Sequence, residues 1–173
     1  PLWSRGLGDV YKRQSVIPCC ISYDPTFAYE LAVIIHKGMQ RMYVQQEDVY
    51  YYITLLNENY PQPAMPEGAR EGILKGLYRF SSSTAQGAKA PRVQLMGSGS
   101  ILREVIAAGQ LLEKDFGVQS DIWSATSLTE LRRQGLAAER WNLLHPQQPR
   151  RAAYVCLLYT SPSPRDLRGS RMP

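Results

Sequence analysis

The fold of this chain is decided by the stretch Ile17-Pro-Cys-Cys-Ile-Ser-Tyr-Asp-Pro-Thr-Phe-Ala-Tyr-Glu-Leu-Ala-Val-Ile-Ile-His36. Residues 15–23 are mostly apolar or small, with Pro18 near the start, which predicts a buried strand. The Asp24-Pro25-Thr26 segment then predicts a helix start, with Asp24 or Thr26 as the cap. Apolar side chains recur after it at helical spacing and predict a helix of about 17 residues: Phe27, Leu31, Ile34, Ile35, Met39 and Met42.

A second strand pattern follows this helix. Residues 48–56 are rich in aromatic and β-branched side chains, which favour extended backbone. A strand, a helix and a strand at this spacing are typical of a βαβ unit, in which the two strands pair in parallel. No basic residue is interleaved among Tyr50, Tyr51 and Tyr52, so we interpret them as a half-buried strand and not as a stacking platform for bases.

Residues 61–91 predict a connection between two domains. Prolines at positions 61, 63 and 66 break the regular pattern, and residues 81–91 are small, polar and flexible in character. Several apolar side chains in this region favour burial, so part of it is expected to be ordered: Ile73, Leu74, Leu77, Tyr78 and Phe80.

A second α/β unit is predicted over residues 92–155. Residues 92–96 predict a strand, Gly97-Ser98-Gly99-Ser100 a tight turn, residues 101–116 an amphipathic helix, and residues 118–124 another strand. Residues 127–136 predict a helix capped by Thr126 or Ser127, with Glu130 as the capping-box partner. Trp141, Leu143 and Leu144 are expected to pack before the break at Pro146. The fold class is therefore α/β.

The two ends of the chain look foreign to the rest. Residues 1–14 and 156–173 resemble translated sequencing-library adapters, and residues 4–14 can be encoded by DNA whose reverse complement encodes residues 156–165. We therefore expect the native segment to be residues 15–155, a piece of a longer gene. Most of the net charge of +5 lies in these ends, so the basic balance gives little support to nucleic-acid binding.

Cysteine and histidine usage predicts neither disulfides nor a zinc site. Neighbouring Cys19 and Cys20 rarely bridge each other, and distant histidines do not complete a zinc-ligand spacing. There is no signal peptide and no apolar run of about twenty residues, which favours a cytoplasmic protein without a membrane span. His36 is expected to be an ordinary helical histidine and His145 an ordinary loop histidine.

Four motifs carry a resemblance to a known family, and together they extend over residues 15–155. They are the stretch at residues 17–36, Tyr50-Tyr-Tyr-Ile-Thr-Leu-Leu-Asn-Glu-Asn-Tyr60 with Pro63-Ala-Met-Pro-Glu-Gly68, Val93-Gln-Leu-Met-Gly-Ser-Gly-Ser-Ile-Leu-Arg103, and Glu139-Arg-Trp-Asn-Leu-Leu-His-Pro146. In this order they resemble the homodimeric, thiamine-diphosphate-dependent first component of the bacterial pyruvate dehydrogenase complex. The resemblance implies a transketolase-like fold, with the end of the pyrimidine-binding domain at residues 15–60 and the start of the C-terminal domain at residues 92–155.

The resemblance also implies an activity and its partners. Members of the family decarboxylate pyruvate on thiamine diphosphate with Mg²⁺ and pass the acetyl group to the lipoyl arm of an acyltransferase. Neither the metal-binding motif nor the activating glutamate lies in this sequence, so we assign no catalytic or metal residue and expect the chain to be inactive alone. Two alternatives stay open: another transketolase-fold 2-oxo acid enzyme, and a non-catalytic dimer or docking module.

The possible pocket-lining residues are Tyr23, Phe27, Asn57 and Tyr60. They flank the carboxyl ends of two parallel strands, where α/β sheets place ligands, although simple packing is the alternative for each. Some relatives carry a histidine after the tyrosine where this chain has Pro61, so a role of that histidine does not transfer. The Gly97-Ser98-Gly99-Ser100 turn is interpreted as structural and not as a phosphate cradle.

Overall fold

The computed structural model describes residues 16–83 and 91–158. The predictions for the outermost ends and for residues 84–90 lie outside these ranges. In chain order the elements are β1 Cys20–Tyr23, α1 Ala28–Met39 with a π-helical continuation Gln40–Val44, β2 Tyr50–Ile53, α2 Ala69–Lys75, β3 Tyr78–Ser82, β4 Arg92–Gly97, α3 Ile101–Phe116, β5 Gln119–Ser124, α4 Leu128–Leu144 and α5 Tyr154–Leu158. The described residues fall into two units, divided after Glu130.

The first sheet of the N-terminal unit is the predicted parallel pair. Strands β1 and β2 run in parallel, with Cys20 opposite Tyr50 and Tyr23 opposite Ile53. All four residues of β1 are buried, whereas β2 exposes Tyr50 and Tyr52 on one side. The strand, helix, strand prediction is confirmed, because the apolar first strand needs cover on both faces and α1 supplies one of them.

Helix α1 begins later than its sequence suggests. Its N-cap is Phe27, and neither Asp24 nor Thr26 caps it. The hydroxyl of Thr26 instead donates to the carbonyl of Gly99 over 2.7 Å, and Asp24 accepts a hydrogen bond from the hydroxyl of Thr54. The cap prediction is wrong because both side chains are engaged by partners distant in the sequence.

The buried face of α1 also differs from the predicted one. Ile34 is fully buried, as expected, but Ile35 and Met39 are largely exposed. The buried positions are Glu30, Val33, Ile34 and Gly38. A Cβ on Gly38 would lie 3.3 Å from the ring of Tyr51, so the missing side chain lets this ring pack directly on the helix.

The second sheet recruits residues from the predicted connection. Its order is β3-β5-β4, with β3 antiparallel and β4 parallel to β5. The predicted connection at residues 61–91 thus contains the helix Ala69–Lys75 and the strand Tyr78–Ser82. It is more regular than its prolines and small polar residues indicate. The expected burial is confirmed for Ile73, Leu77 and Tyr78. Removing these side chains from water stabilises the regular structure. The position of the domain boundary itself stays a prediction.

Helix α4 is longer than predicted. Ser127 is confirmed as its cap, because its Oγ accepts the backbone N–H of Glu130 over 3.1 Å. The backbone N–H of Ser127 donates to the carbonyl of Gly76 over 3.2 Å. Leu143 and Leu144 are exposed, so the packing predicted for them is wrong in this chain.

Asn142, near the end of α4, makes local contacts with the segment that follows the helix. The side chain of Asn142 exchanges two hydrogen bonds with the backbone of Arg151, at 2.8 and 2.9 Å. The guanidinium of Arg151 lies 3.9 Å from the ring centre of Trp141, and the ring of His145 stacks on the same Trp141 ring. Within the described ranges, none of the helices combines the length and the apolar character that a membrane crossing requires.

Candidate functional site

The carboxyl ends of strands from both sheets meet in the N-terminal unit. The backbone N–H of Asp24, after β1, donates to the carbonyl of Thr126, after β5, over 2.7 Å. Thr26 reaches the carbonyl of Gly99, in the turn after β4. The hydroxyl of Ser127 donates to the carbonyl of Ser22 over 2.6 Å. These strand ends are the place at which α/β folds gather functional side chains.

Glu30 is the central group of this junction. It lies in the first turn of α1 and is completely buried. One carboxylate oxygen accepts the backbone N–H groups of Thr26 and Phe27, at 2.5 and 3.1 Å. The other oxygen accepts the hydroxyls of Tyr78 and Ser124, at 2.6 and 2.7 Å. A buried carboxylate is tolerated only when its oxygens are satisfied, and four donors satisfy these.

Two tyrosines extend the hydrogen-bonded chain from Glu30. The hydroxyl oxygens of Tyr29 and Tyr78 lie 2.6 Å apart. Because Tyr78 donates to Glu30, its oxygen accepts the proton of Tyr29. Burial and the neighbouring Glu30 carboxylate raise the pKa of Tyr78 far above its usual range. Burial raises the pKa of Tyr29 to about 12. Both phenols therefore remain neutral donors at physiological pH.

The structure separates Tyr23 from the other possible pocket residues. Tyr23 is buried, its hydroxyl donates to the carbonyl of Leu74 over 2.7 Å, and its ring stacks on Tyr51 with the ring centres 6.1 Å apart. Burial and the charge of Glu130 raise its pKa. Its contacts are with the core that α1 and α2 cover.

Phe27 and Tyr60 are brought together. Their ring centres lie 6.4 Å apart in an edge-on arrangement, and Phe27 also stacks on Phe80 at 5.3 Å. The Tyr60 hydroxyl donates to the carbonyl of Thr26. The guanidinium of Arg103 lies 4.6 Å from the Tyr60 ring centre and pairs with Glu58 over 2.9 Å. We call Phe27, Tyr60 and Arg103 the aromatic wall. Asn57 is exposed beyond it.

A second polar cluster surrounds Asp121 on β5. Its carboxylate accepts two hydrogen bonds from Arg92, at 2.5 and 2.8 Å, and one each from Ser82 and Gln94. The Arg92 guanidinium holds the pKa of Asp121 well below its usual range. Trp123 donates to Gln94 over 2.6 Å, which extends the cluster along one face of the sheet.

Sequence reasoning missed both Glu30 and the Asp121 cluster. A signal existed for part of the cluster, since Arg92 and Gln94 alternate with Val93 and Leu95 and so share one face of a strand. For Glu30 the only signal was its position in the first helical turn, where a carboxylate reaches back to the preceding backbone. Nothing local indicated that it would be buried.

The described residues do not form a site for a bound metal. In residues 16–83 and 91–158 there is no group of three or more His, Cys, Asp or Glu side chains that a metal ion would need. The turn at Gly97-Ser98-Gly99-Ser100 is tightly packed, because a Cβ on Gly97 would lie 2.7 Å from the Cα of Leu102. Ser98 donates to the carbonyl of Ala125 over 2.7 Å. A diphosphate with its magnesium ion therefore does not fit these residues.

A parallel βαβ unit joined through its strand ends to a mixed sheet is the arrangement of a transketolase-like α/β protein. Comparison with known families agrees with this class. Residues 5–63 match the middle domain of the pyruvate dehydrogenase E1 component, and residues 76–158 match the transketolase-like C-terminal domain. Both matches extend into the ends for which we expect an adapter origin, so the boundaries of those ends stay a prediction.

Individual relatives give the same assignment. The chain is 57% identical over 148 residues to the pyruvate dehydrogenase E1 component of Cupriavidus necator and 57% identical over 149 residues to that of Escherichia coli K12. Each alignment covers 86% of this chain and 16% of the relative. The relative from Buchnera aphidicola of Baizongia pistaciae is 48% identical over 152 residues, which is 87% of this chain and 17% of that protein. The chain belongs to the pyruvate dehydrogenase E1 component family.

Proposed function

We propose that this chain is part of an enzyme that decarboxylates pyruvate on thiamine diphosphate and transfers the acetyl group to a lipoyl group. The observation that carries this proposal is the 57% identity, over 86% of the chain, to proteins named pyruvate dehydrogenase E1 component. Because the chain spans only 16% of the length of these relatives, the activity belongs to the whole protein. The proposed setting is a cytoplasmic homodimer that works with a lipoyl acyltransferase.

The proposed contribution of the described residues is to shape one side of the substrate pocket. Thiamine diphosphate, when bound, supplies the electron sink for decarboxylation. The described residues do not hold its diphosphate or its magnesium ion, so we assign those contacts to other parts of the protein. In this proposal Tyr60, with the Arg103 guanidinium over its ring, faces the substrate, and the buried Phe27 supports them from the core.

A chimeric enzyme tests this function. Residues 16–155 of this chain would replace the matching segment of the Escherichia coli relative, with the unmodified relative as the control. We expect the chimera to turn over pyruvate and to acetylate a lipoyl domain, measured by stopped assays for both products. A dimeric chimera that prefers another 2-oxo acid would favour a different enzyme of this fold. A dimeric chimera without turnover of any 2-oxo acid would favour a docking module.

The isolated chain provides the complementary test. We expect the 173-residue protein to show no decarboxylase activity and no binding of thiamine diphosphate, because the described part lacks a metal-ligand group. Isothermal titration calorimetry with thiamine diphosphate and Mg²⁺ measures this directly. Tight binding that depends on magnesium would contradict the assignment of the diphosphate contacts to other parts of the protein.

A further inference from the structure

We propose that Glu30 is a positioning residue that fixes the turn at residues 24–27 against the second sheet and thereby sets the geometry of the aromatic wall. The proposal rests on the proposed function in one respect: Tyr60 and Arg103 of the wall are taken to face the substrate pocket, with the buried Phe27 behind them. The role of Glu30 in holding the turn is independent of that function and follows from its contacts.

One carboxylate oxygen of Glu30 fixes the backbone of the turn. The N–H groups of Thr26 and Phe27 lie at the start of α1, where no helical carbonyl precedes them as a partner. Both donate to the same oxygen of Glu30, at 2.5 and 3.1 Å. Since Glu30 is completely buried, solvent does not compete for these donors. The path of the backbone through the turn is therefore tied to the position of this carboxylate.

The Glu30 carboxylate is itself anchored to the second sheet. Its other oxygen is held by Tyr78 on β3 and by Ser124 at the end of β5, at 2.6 and 2.7 Å. A single side chain thus connects the start of α1 to two strands of the second sheet. The turn cannot shift relative to that sheet without breaking hydrogen bonds in a dry environment, where an unmet donor is costly.

The turn also holds two rings of the aromatic wall. Phe27 belongs to the turn, and the Tyr60 hydroxyl donates to the carbonyl of Thr26, so both rings are attached to the backbone that Glu30 holds. The Arg103 guanidinium lies over the Tyr60 ring, 4.6 Å from its centre. Small displacements of groups that orient a substrate reduce turnover strongly.

Two substitutions of Glu30 distinguish the effect of its hydrogen bonds from the effect of filling a buried position. In Glu30→Gln the amide oxygen can accept both backbone N–H groups, and the amide NH₂ can donate to the hydroxyls of Tyr78 and Ser124, since a hydroxyl accepts as well as donates. In Glu30→Ala all four donors lose their acceptor. The matched control is Glu71→Ala, because Glu71 occupies the same helical position in α2 but is exposed.

The test compares kcat and KM for pyruvate in the chimeric enzyme described above. We expect Glu30→Ala to lower kcat/KM by at least about tenfold in protein that is still dimeric, with Glu30→Gln and Glu71→Ala close to the unmodified chimera. Unchanged kcat/KM per folded dimer in Glu30→Ala would overturn the proposal, and so would an equal loss in Glu30→Gln. An inactive unmodified chimera would count against the proposed function instead.

Amide hydrogen exchange in the 173-residue chain decides the positioning role without any activity. We expect the Thr26 and Phe27 amides to exchange faster in Glu30→Ala and to stay protected in Glu30→Gln. If Glu30→Ala does not fold, Tyr78→Phe replaces it, since it removes one anchor of the carboxylate, and a smaller acceleration at the same two amides is expected. Equal protection in every folded variant overturns the proposal.

Discussion

The phenol of Tyr78 donates a 2.6 Å hydrogen bond to the completely buried carboxylate of Glu30. Strand β3 carries the phenol and helix α1 carries the carboxylate, so this contact joins the second sheet to the helix of the first βαβ unit. Tyr29 lies 2.6 Å from the Tyr78 oxygen and completes a chain of three groups that solvent does not reach freely. Because two of these three groups are tyrosines, the stability of the junction is expected to depend on alkaline pH.

Alkaline unfolding should follow the titration of these tyrosines. Burial raises the pKa of Tyr29 to about 12 and moves that of Tyr78 upward as well, so their contribution to stability is complete below about pH 10 and is lost as the pH rises above it. We expect Tyr78→Phe to be less stable than the unmodified chain at about pH 8, and this difference in the free energy of unfolding to become smaller at about pH 11, above the ordinary tyrosine pKa. Urea midpoints measure this, with exposed Tyr43→Phe as the control. A difference that stays constant over this pH range would contradict the prediction.

Asp121→Asn should destabilise the second sheet in a pH-dependent manner. Arg92 holds the pKa of Asp121 below the ordinary value of 3.8, so the contribution of the carboxylate is present above about pH 4 and disappears as the pH falls below it. We expect a loss of about 1–2 kcal/mol at neutral pH. Urea midpoints at neutral and acidic pH test this. The exposed Glu71→Gln should change them little, and an equal effect of Asp121→Asn at both pH values would argue against the ionic origin.

Gly97→Ala should loosen the contact between β4 and α3. The added Cβ would lie 2.7 Å from the Cα and 3.0 Å from the backbone nitrogen of Leu102, and neither atom can move alone. We expect a loss of about 1–3 kcal/mol in the free energy of unfolding. Gly135→Ala is the control, because its nearest atom is the Cβ of Ala153 at 4.0 Å, and it should gain about 0.5–1 kcal/mol. Similar urea midpoints for both variants would refute the steric explanation.

The isolated chain should associate through an apolar surface next to α1. Met39 is 55% exposed and Val44 is 76% exposed, and Ile35 and Tyr43 extend the same region. An apolar surface of this kind is expected to find cover, as it would at a subunit contact of the proposed homodimer. We expect sedimentation velocity to show concentration-dependent association that Met39→Lys with Val44→Lys reduces. Phe116→Lys, at a similarly exposed site on α3, should reduce it less. A monomer at every concentration would contradict this prediction.

Local pattern predicted much of the fold. Helical spacing identified α1, and the aromatic second strand supplied its parallel partner. The amphipathic helix at residues 101–116 has the same bounds in the structure. These elements could be predicted from the sequence because a helix or a strand that buries one side repeats its apolar residues with a characteristic period. The motifs that resemble the pyruvate dehydrogenase family were equally local, and comparison with relatives confirmed them.

Strand β3 and the start of α1 were harder to predict from the sequence. Tyr78–Ser82 follows a proline- and glycine-rich region, and its pairing partner is the distant strand β5, in which Ser124 lies opposite Tyr78. The start of α1 moved to Phe27 because Thr26 is bound to Gly99, which lies 73 residues away in the sequence. Neither relationship leaves a signature in a short window of residues.

The sequence by itself therefore determined the α/β class, the parallel βαβ unit and the family. Only the tertiary structure decided that Glu30 is buried, because a glutamate enters an interior only when donors meet it there. Those donors, Tyr78 and Ser124, are 48 and 94 residues away along the chain. The spacing of apolar residues and the composition of a segment predict which of its faces is buried. The partners of a buried charge depend instead on which distant segments the fold brings together.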